Sequence, residues 1–476
     1  MHLVATAVLV LQGLRVGHLA WARWRRPAPE RPERVPEAWP RVCVQVPVYN
    51  EPAVVARAVA AACALDYPAL ELQILDDSDD GVTPGRAAHA VAEAVGAGCA
   101  AVHLRRASRA GFKAGALAAG LARTDAPLVA VLDADFAPAP DFLRRLVPAL
   151  LADPALAFVQ ARWTHVNAAA SVLTRAQAAL LDLHFAVEQA GRDRLRRFLP
   201  FNGTAGVWRR AAIDAAGGWS GDTLAEDLDL ALRARMAGRG GAFLGSVEAP
   251  AELPASVRAW QRQQARWAKG MTEVLRRLGG RWWRSGRPLG ERAAALLDVS
   301  APLAYPALLA VIVLHPALGL AWAHGAGPGP ALTAALGFGW LGLAGAVLAH
   351  AVAQAALHPA RPALARVGHG ALGLAASVAL AAPGTWAVGE ALAGRATPFE
   401  RTPKGAAAAP GQGASRGTWA LAAASAAGLA ALVGAGAWLA VAFQAVFAAA
   451  TGWACVAGAR RTSRPWALPR LRARAS

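Results

Sequence analysis

Residues 293–458 are built mostly of Ala, Leu, Gly and Val, whereas residues 23–292 carry nearly all of the acidic residues. This division limits the chain more than any other feature. In lipid no backbone N–H or C=O can be left unpaired, so an apolar run of about 20 residues must be helical and is long enough to cross a bilayer. Segments 294–320, 332–355, 416–434 and 436–457 meet that length. Residues 3–22 form another such stretch, with Arg15 and His18 inside it and no small-residue cleavage site before the Arg23–Arg26 cluster; it reads as an uncleaved anchor. The chain therefore divides into an acid-bearing domain and a membrane region.

The net charge of +18 raises the question of nucleic acid. Its distribution answers it. Basic clusters sit beside the apolar segments: Arg23, Arg25 and Arg26; Arg276 to Arg292; Arg460 to Arg474. Positive charge in that position marks the cytoplasmic side of a membrane protein. No nucleic-acid-binding motif accompanies it, so no nucleic-acid partner is expected. The segment 368–392 is interrupted by Pro383-Gly384 and carries Glu390. The loops around Arg361 and Arg366, and around Arg395 and Arg401, are basic, as is the tail. Parity then favours five spans and an interfacial or re-entrant stretch over 368–405, against six spans. The expected organisation is an N-terminal helix (1–24), a Pro/Arg/Glu-rich linker (25–40), a domain at 41–255, amphipathic basic helices with several tryptophans (256–292), a membrane region (293–458) and a basic cytoplasmic tail (459–476). This places a multi-pass protein in the cell membrane, the inner membrane if the source is bacterial, with the acid-bearing domain in the cytoplasm.

Cys43, Cys63, Cys99 and Cys455 show no CxxC spacing and read as buried free thiols in a reducing compartment. Of 49 Lys plus Arg, only residues 113, 269 and 404 are lysine. Asparagine is as rare, and two of its positions are Asn50 and Asn202. Against such a bias, these residues are expected to do something their substitutes cannot.

Within 41–255, β-like runs at 42–46, 71–75, 100–104 and 127–132 alternate with helix-compatible stretches at 53–64, 84–96 and 112–123. This spacing predicts parallel strands covered by helices, with ligands at the carboxyl ends of the strands. Asp76-Asp77 and the Asp133-Ala134-Asp135 motif both fall at such ends. Two carboxylates there, completed by diphosphate oxygens and water, suit Mg²⁺ or Mn²⁺. Tyr49, Asn50 and Glu51 follow the first strand and are placed to hold a nucleotide. Lys113 opens a helix and is placed to reach a diphosphate. Glu226-Asp227 opens another helix, where one acid can take a proton from an acceptor hydroxyl. Asp229 follows, and helical geometry sets the three acids on different faces. Gln263, Arg266 and Trp267, at i, i+3 and i+4, share one face, where an indole can stack on a sugar ring.

In order, these motifs resemble the D, DxD, D, QxxRW signature of the processive family 2 glycosyltransferases: cellulose synthase, hyaluronan synthase, chitin synthase and the cellulose-synthase-like proteins. Gln-Ile-Leu-Asp-Asp-Ser, Phe-Lys-Ala-Gly-Ala-Leu, Phe-Asn-Gly-Thr-Ala-Gly-Val-Trp-Arg and Phe-x-Arg-Thr-Pro-Lys resemble the cellulose-synthase-like A and C types, glucomannan and glucan synthases. The resemblance is strong over about residues 42–275. It implies an α/β GT-A domain with a Rossmann-like mixed sheet plus a helical transmembrane region. It also implies inverting transfer of glucose or mannose from UDP-glucose or GDP-mannose to a growing β-linked polysaccharide. By position, Tyr49, Glu51, Asp76 and Asp77 would touch the nucleotide, Lys113 the diphosphate, and Asp133 and Asp135 the metal and donor. Asp227 would be the base, Gln263, Arg266 and Trp267 would line the acceptor and donor site, and Phe399–Lys404 would resemble a gating loop. Two departures stand out: Ala225 replaces the usual Thr, and Asp79-Asp80 replaces the common Thr-Asp, which leaves nucleotide preference open. Transfer of one sugar to a membrane lipid, or a non-catalytic role in an export complex, are the alternatives.

Overall fold

The computed structural model describes residues 1–31, 36–327, 329, 337–397 and 413–457. After helix α1 (His2–Arg25) the chain alternates β1 (Val42–Val48), α2 (Val55–Cys63), β2 (Leu70–Asp76), α3 (Thr83–Gly96), β3 (Ala101–Arg105), α4 (Phe112–Leu121) and β4 (Leu128–Val131). These match the expected runs to within about two residues. Apolar residues on both faces make these inner strands buried on both sides: Val42, Cys43, Val44 and Val46 are all covered. Side chains alternate between two cores. Val44, Val46, Leu72 and Ile74 pack on one face, while Leu75, Val129, Val131, Phe158 and Trp208 pack on the other.

The second half supplies α5 (Phe142–Ala152), β5 (Leu156–His165), α6 (Val172–Leu183), a π-helical turn (His184–Gln189), α7 (Ala190–Arg194), β6 (Gly206–Arg209), α8 (Arg210–Ala215), α9 (Glu226–Met236) and β7 (Gly240–Ala251). The seven strands form one sheet in the order β3-β2-β1-β4-β6-β5-β7. β6 runs antiparallel to β4 and β5, and the remaining pairs are parallel. The sheet is thus mixed. The adjacency β2-β1-β4 sets residues 76–80, 49–51 and 133–135 side by side at one edge.

Helix α10 (Val257–Trp283) buries two faces. Val274, Leu278 and Trp282 enter the sheet-side core, and Val257 and Trp260 pack with Ala376, Ala379 and Leu380. It therefore joins the two regions of the chain. The expected apolar run at 294–320 is broken instead of continuous: α11 (Leu289–Val299) ends at Ser300, a short 3₁₀ turn (Ala301–Leu303) follows, and α12 (Ala304–Ala323) begins. Asp298 at that break is buried among ion pairs, and Pro302 lacks an N–H to continue the ladder.

The remaining helices are α13 (Gly339–Leu357), α14 (Ala363–Ala379), α15 (Ala381–Leu392), α16 (Arg416–Gly434) and α17 (Trp438–Ala457). Among the described residues five helical stretches are long and apolar enough to cross a membrane, and α14 with α15 forms a pair bent by 47°, a broken span or a re-entrant loop. α1 and α13 meet at glycines: a Cβ on Gly13 would lie 2.1 Å from the Gly342 carbonyl oxygen, and one on Gly345 2.1 Å from that of Gly13. Small residues allow such backbone contact between apolar helices. The expected gating segment Phe399–Lys404 and the basic tail lie outside the described residues.

One expectation is corrected. Cys63 and Cys99 are joined as a disulfide with Cα atoms 5.9 Å apart, while Cys43 and Cys455 are free and buried. Their separation of 36 positions hides their proximity, which arises because α2 ends where the chain enters β3.

Candidate active site

One cavity of about 1870 Å³ gathers the chemistry. At its sheet end lie Tyr49, Glu51, Asp77, Lys113, Asp133, Asp135, Glu226 and Asp227, with Gln263, Arg266 and Trp267 alongside. Of the candidate site residues, Asp76 and Asn50 do not line this cavity, and Phe399–Lys404 lies outside the described residues.

For Asp76, the expectation that it touches a nucleotide is corrected. Its carboxylate is fully covered; one oxygen accepts from the Ser78 backbone N–H at 2.9 Å, and the other faces His103 Nε2 at 2.9 Å. Burial alone would raise its pKa, but the His103 and Ser78 contacts outweigh that and hold it below the ordinary range. Asp76 fixes the turn after β2, and Asp77 faces the cavity. There the Arg106 guanidinium forks onto Asp77, with Nε at 2.9 Å from Oδ1. The Tyr49 ring carries the Arg109 guanidinium 3.3 Å from its centroid, and its hydroxyl donates to Asp79 at 3.3 Å. Asn50 Nδ2 donates to the same Asp79 at 2.7 Å, so the residues departing from the family pattern brace this edge.

Lys113 sits at the centre. Its ammonium donates to Asp133 Oδ1 at 2.7 Å and to the Gly203 carbonyl at 2.8 Å, with Glu226 3.9 Å away. Burial opposes its charge, but Asp133 and Glu226 more than offset that and keep it an ammonium. The Asp133 N–H donates to Thr204 Oγ1 at 2.8 Å. Gly203 has φ +79°, and a Cβ there would stand 2.8 Å from Asp227 Oδ2. Only glycine lets the backbone turn here and admit both Asp227 and Lys113. Phe201-Asn202-Gly203-Thr204 therefore belongs to the site, although sequence reasoning gave it no role. Its rare asparagine was the available signal.

Asp227 is pushed up to about 7, by burial first and then by the Glu226 carboxylate beside it; Lys113 pulls the other way. Glu226 is raised as well, also by burial. Helical geometry predicts that these neighbours point apart, yet both line the cavity. Both belong to the first turn of α9, which opens after the N-cap Ala225. Asp229 turns away and binds Arg233 at 2.6 Å. Ala225 also meets α10: a Cβ on Gly270 would be 2.9 Å from the Ala225 Cβ, so the small residue sets this close approach.

Trp267 and Trp163 stand with ring centroids 6.2 Å apart beyond the acids. From there the cavity continues past Tyr305 to Trp340 and Phe443 among the apolar helices. Asp133 and Asp135 fit a divalent cation by their chemistry: two hard oxygen ligands at one strand end, Asp133 one-third exposed, with cavity space for phosphate and water to complete the shell. Among the described residues no group of three or more His, Cys, Asp or Glu is placed to hold a metal unaided.

Residues 40–270 match the family described as "Glycosyltransferase like family 2". The chain is similar to "Probable glucomannan 4-beta-mannosyltransferase 6" of Oryza sativa subsp. japonica, 43% identical over 246 residues, covering 51% of this chain and 43% of that one. It is also similar to "Glucomannan 4-beta-mannosyltransferase 2" of Arabidopsis thaliana, 42% identical over 245 residues, covering 50% and 46%. It thus spans less than half the length of these relatives. Among solved structures, the mannosyltransferase PcManGT from Pyrobaculum calidifontis, in complex with GDP-Man and Mn2+, superposes with a TM-score of 0.52 over 82% of this chain and all of that one, at 21% identity. That likeness shows a shared fold.

Proposed function

We propose, for a chain that carries a glycosyltransferase family 2 domain over residues 40–270, that it transfers mannose from a nucleotide diphosphate to a growing β-linked glycan held at a membrane. The observation that carries this reading is the pairing within one cavity of a base, Asp227, with a diphosphate-binding group, Lys113 beside Asp133. The mannosyl identity rests on the glucomannan mannosyltransferases to which the domain is similar. The route of the product rests on the cavity's continuation among apolar helices, lined by aromatic rings that suit pyranose faces.

In this mechanism Tyr49, Glu51 and Asp77 hold the nucleoside. Asp133 and Asp135 would hold a divalent cation, Mg²⁺ or Mn²⁺, which would supply charge neutralisation for the departing diphosphate. Lys113 adds its positive charge on the same side. Trp267 stacks the acceptor sugar, and Gln263 and Arg266 bind hydroxyls or phosphate. Asp227 accepts the proton of the acceptor hydroxyl as that oxygen attacks the anomeric carbon from the face opposite the diphosphate. A pKa near 7 suits the task, because the group is ionised often enough to act and basic enough to take the proton. One base and a direct displacement invert the anomeric centre.

The test is incubation of purified protein in lipid nanodiscs with labelled GDP-mannose and UDP-glucose separately, with Mg²⁺ or Mn²⁺, followed by sizing of the products. Polymer from GDP-mannose is expected. A single-sugar glycolipid would support transfer to a membrane lipid, polymer from UDP-glucose would change the hexose, and no consumption of either donor would point to a non-catalytic subunit.

A further inference from the structure

Arg15 lies in the middle of the apolar helix α1, where an ionised side chain is costly and calls for a partner. It has several. Its Nη2 donates to Glu188 at 2.6 Å, its Nη1 to Asp298 at 2.9 Å, and its Nε to Gln12 at 2.8 Å. Arg192 donates to both Asp298 oxygens at 3.1 Å. The other Glu188 oxygen faces His184 Nδ1 at 2.9 Å, and His184 Nε2 faces Asn202 Oδ1 at 3.3 Å. Gln189 Nε2 donates to that same Asn202 oxygen at 3.1 Å and to the Pro200 carbonyl at 3.0 Å, which orients both amides. The Asn202 backbone N–H donates to Gln160 at 3.1 Å. Burial alone would raise Glu188, but Arg15, Arg192 and His184 hold it well below the carboxylate range.

Three buried polar atoms of these residues lack a partner: Gln189 Oε1, Arg192 Nη1 and Asn202 Nδ2. Asn202 Nδ2 is buried, has no partner, and belongs to a residue lining the active-site cavity. An amide whose oxygen is held by two neighbours presents its two N–H donors in a fixed direction. A buried donor without an acceptor carries an uncompensated desolvation cost, which a ligand oxygen would recover. The next residue, Gly203, packs against Asp227, so Asn202 is one residue from a close neighbour of the base. The Asn202 side-chain oxygen is held from the π-helical turn, by His184 and Gln189.

We propose that Asn202 is a further sugar-binding residue, donating to a hydroxyl of the acceptor glycan, and that Arg15 is its positioning residue, acting through Glu188 and His184. The first apolar helix is then part of the acceptor site. The inference rests on the proposed glycan acceptor.

The test measures binding of a β-1,4-linked mannohexaose, with no donor present, to the full chain in nanodiscs by calorimetry. GDP affinity and the thermal midpoint, recorded for each variant, report folding. Asn202→Ala weakens the oligosaccharide about tenfold and Arg15→Gln about fivefold, magnitudes expected for loss or misalignment of one or two hydrogen bonds. Arg15→Lys, which keeps the charge, falls between Arg15→Gln and the parent. GDP affinity is unchanged in all three. In the Asn202→Ala background, Arg15→Gln has no further effect, because it acts only through that amide. Should Arg15→Gln not fold, His184→Leu breaks the same path and carries the same expectation. Equal weakening by Arg15→Gln in both backgrounds, or an Asn202→Ala variant that binds as tightly as the parent, overturns the proposal. None of these readouts uses turnover, so absence of mannosyl transfer would count against the proposed function and leave this result standing.

Discussion

Two buried aspartates, Asp76 after β2 and Asp227 at the start of α9, titrate in opposite directions. Asp76 meets His103 and the Ser78 N–H and falls below its ordinary range; Asp227 meets a second carboxylate and rises to about 7. By exposed surface Asp76 is the more covered of the two, yet it is the one that is lowered, so burial does not set the direction. The sign of the neighbour does. A buried acid given hydrogen-bond donors is a structural anchor, and one placed beside another acid stores basicity near neutral pH. Asp133 forms a third case, in which the Lys113 ammonium meets the carboxylate, and the proposed cation at Asp133 and Asp135 would share that charge.

The largest effect that sharpens this contrast should come from the third case. Asp135→Ala, or an excess of chelator on the parent, should abolish turnover, as measured by release of nucleotide diphosphate. Full activity in excess chelator would remove the cation from the scheme.

Next is the base itself. Asp227→Asn keeps the shape and loses the basicity, and should lower kcat by at least about 10²-fold, the lower end of what a general base contributes. Nucleotide affinity should change little, because the proposed donor contacts are Tyr49, Asp77 and Lys113. A variant retaining more than about a tenth of the activity would shift attention to Glu226, which shares the cavity wall.

A smaller effect follows from pH. With Asp227 raised, its ionised form is scarce below about pH 7. kcat/KM should then rise about tenfold per pH unit below that point and level above it. The profile of the residual activity in Asp227→Asn should lose this limb. An identical limb in the variant would assign it to another group.

The strands before the site, the Asp-Ala-Asp motif and the Gln-x-x-Arg-Trp face were all legible in the sequence, because each is a local pattern that backbone periodicity converts directly into position. Three features were not, each for a physical reason. Asp76 and Asp77 are adjacent, and only the sheet decides which of the two faces the cavity. Glu226 and Asp227 both line the cavity, although a helical wheel sets neighbours about 100° apart, because the cavity wall is wide enough to take both. Arg15, Glu188, His184 and Asn202 are up to about 190 residues apart, so no local spacing signals their contact. The Cys63–Cys99 bond was missed for the same reason.

The smallest effect on turnover, and the sharpest break between the two aspartates, is expected at Asp76. Its side chain is fully covered and does not line the cavity, so Asp76→Asn should leave kcat within a few-fold of the parent. The change should appear in stability instead. The folded pKa is depressed, so the carboxylate contributes stability that is present above the unfolded value of about 3.8–3.9 and is lost as pH falls through the folded value. At neutral pH the substitution should therefore cost about 1–3 kcal/mol, the range for hydrogen bonds made to a charged group, seen as a lower thermal midpoint. As the pH is lowered past the folded value the parent protonates Asp76 as well, and the two midpoints should converge. Asp227→Asn should behave in the reverse sense. Its folded pKa is raised, so the parent loses stability as pH climbs from about 4 towards 7, and the amide removes that loss. If both variants were destabilised alike at pH 7, the sign of the neighbouring charge would not be what separates an anchor from a base.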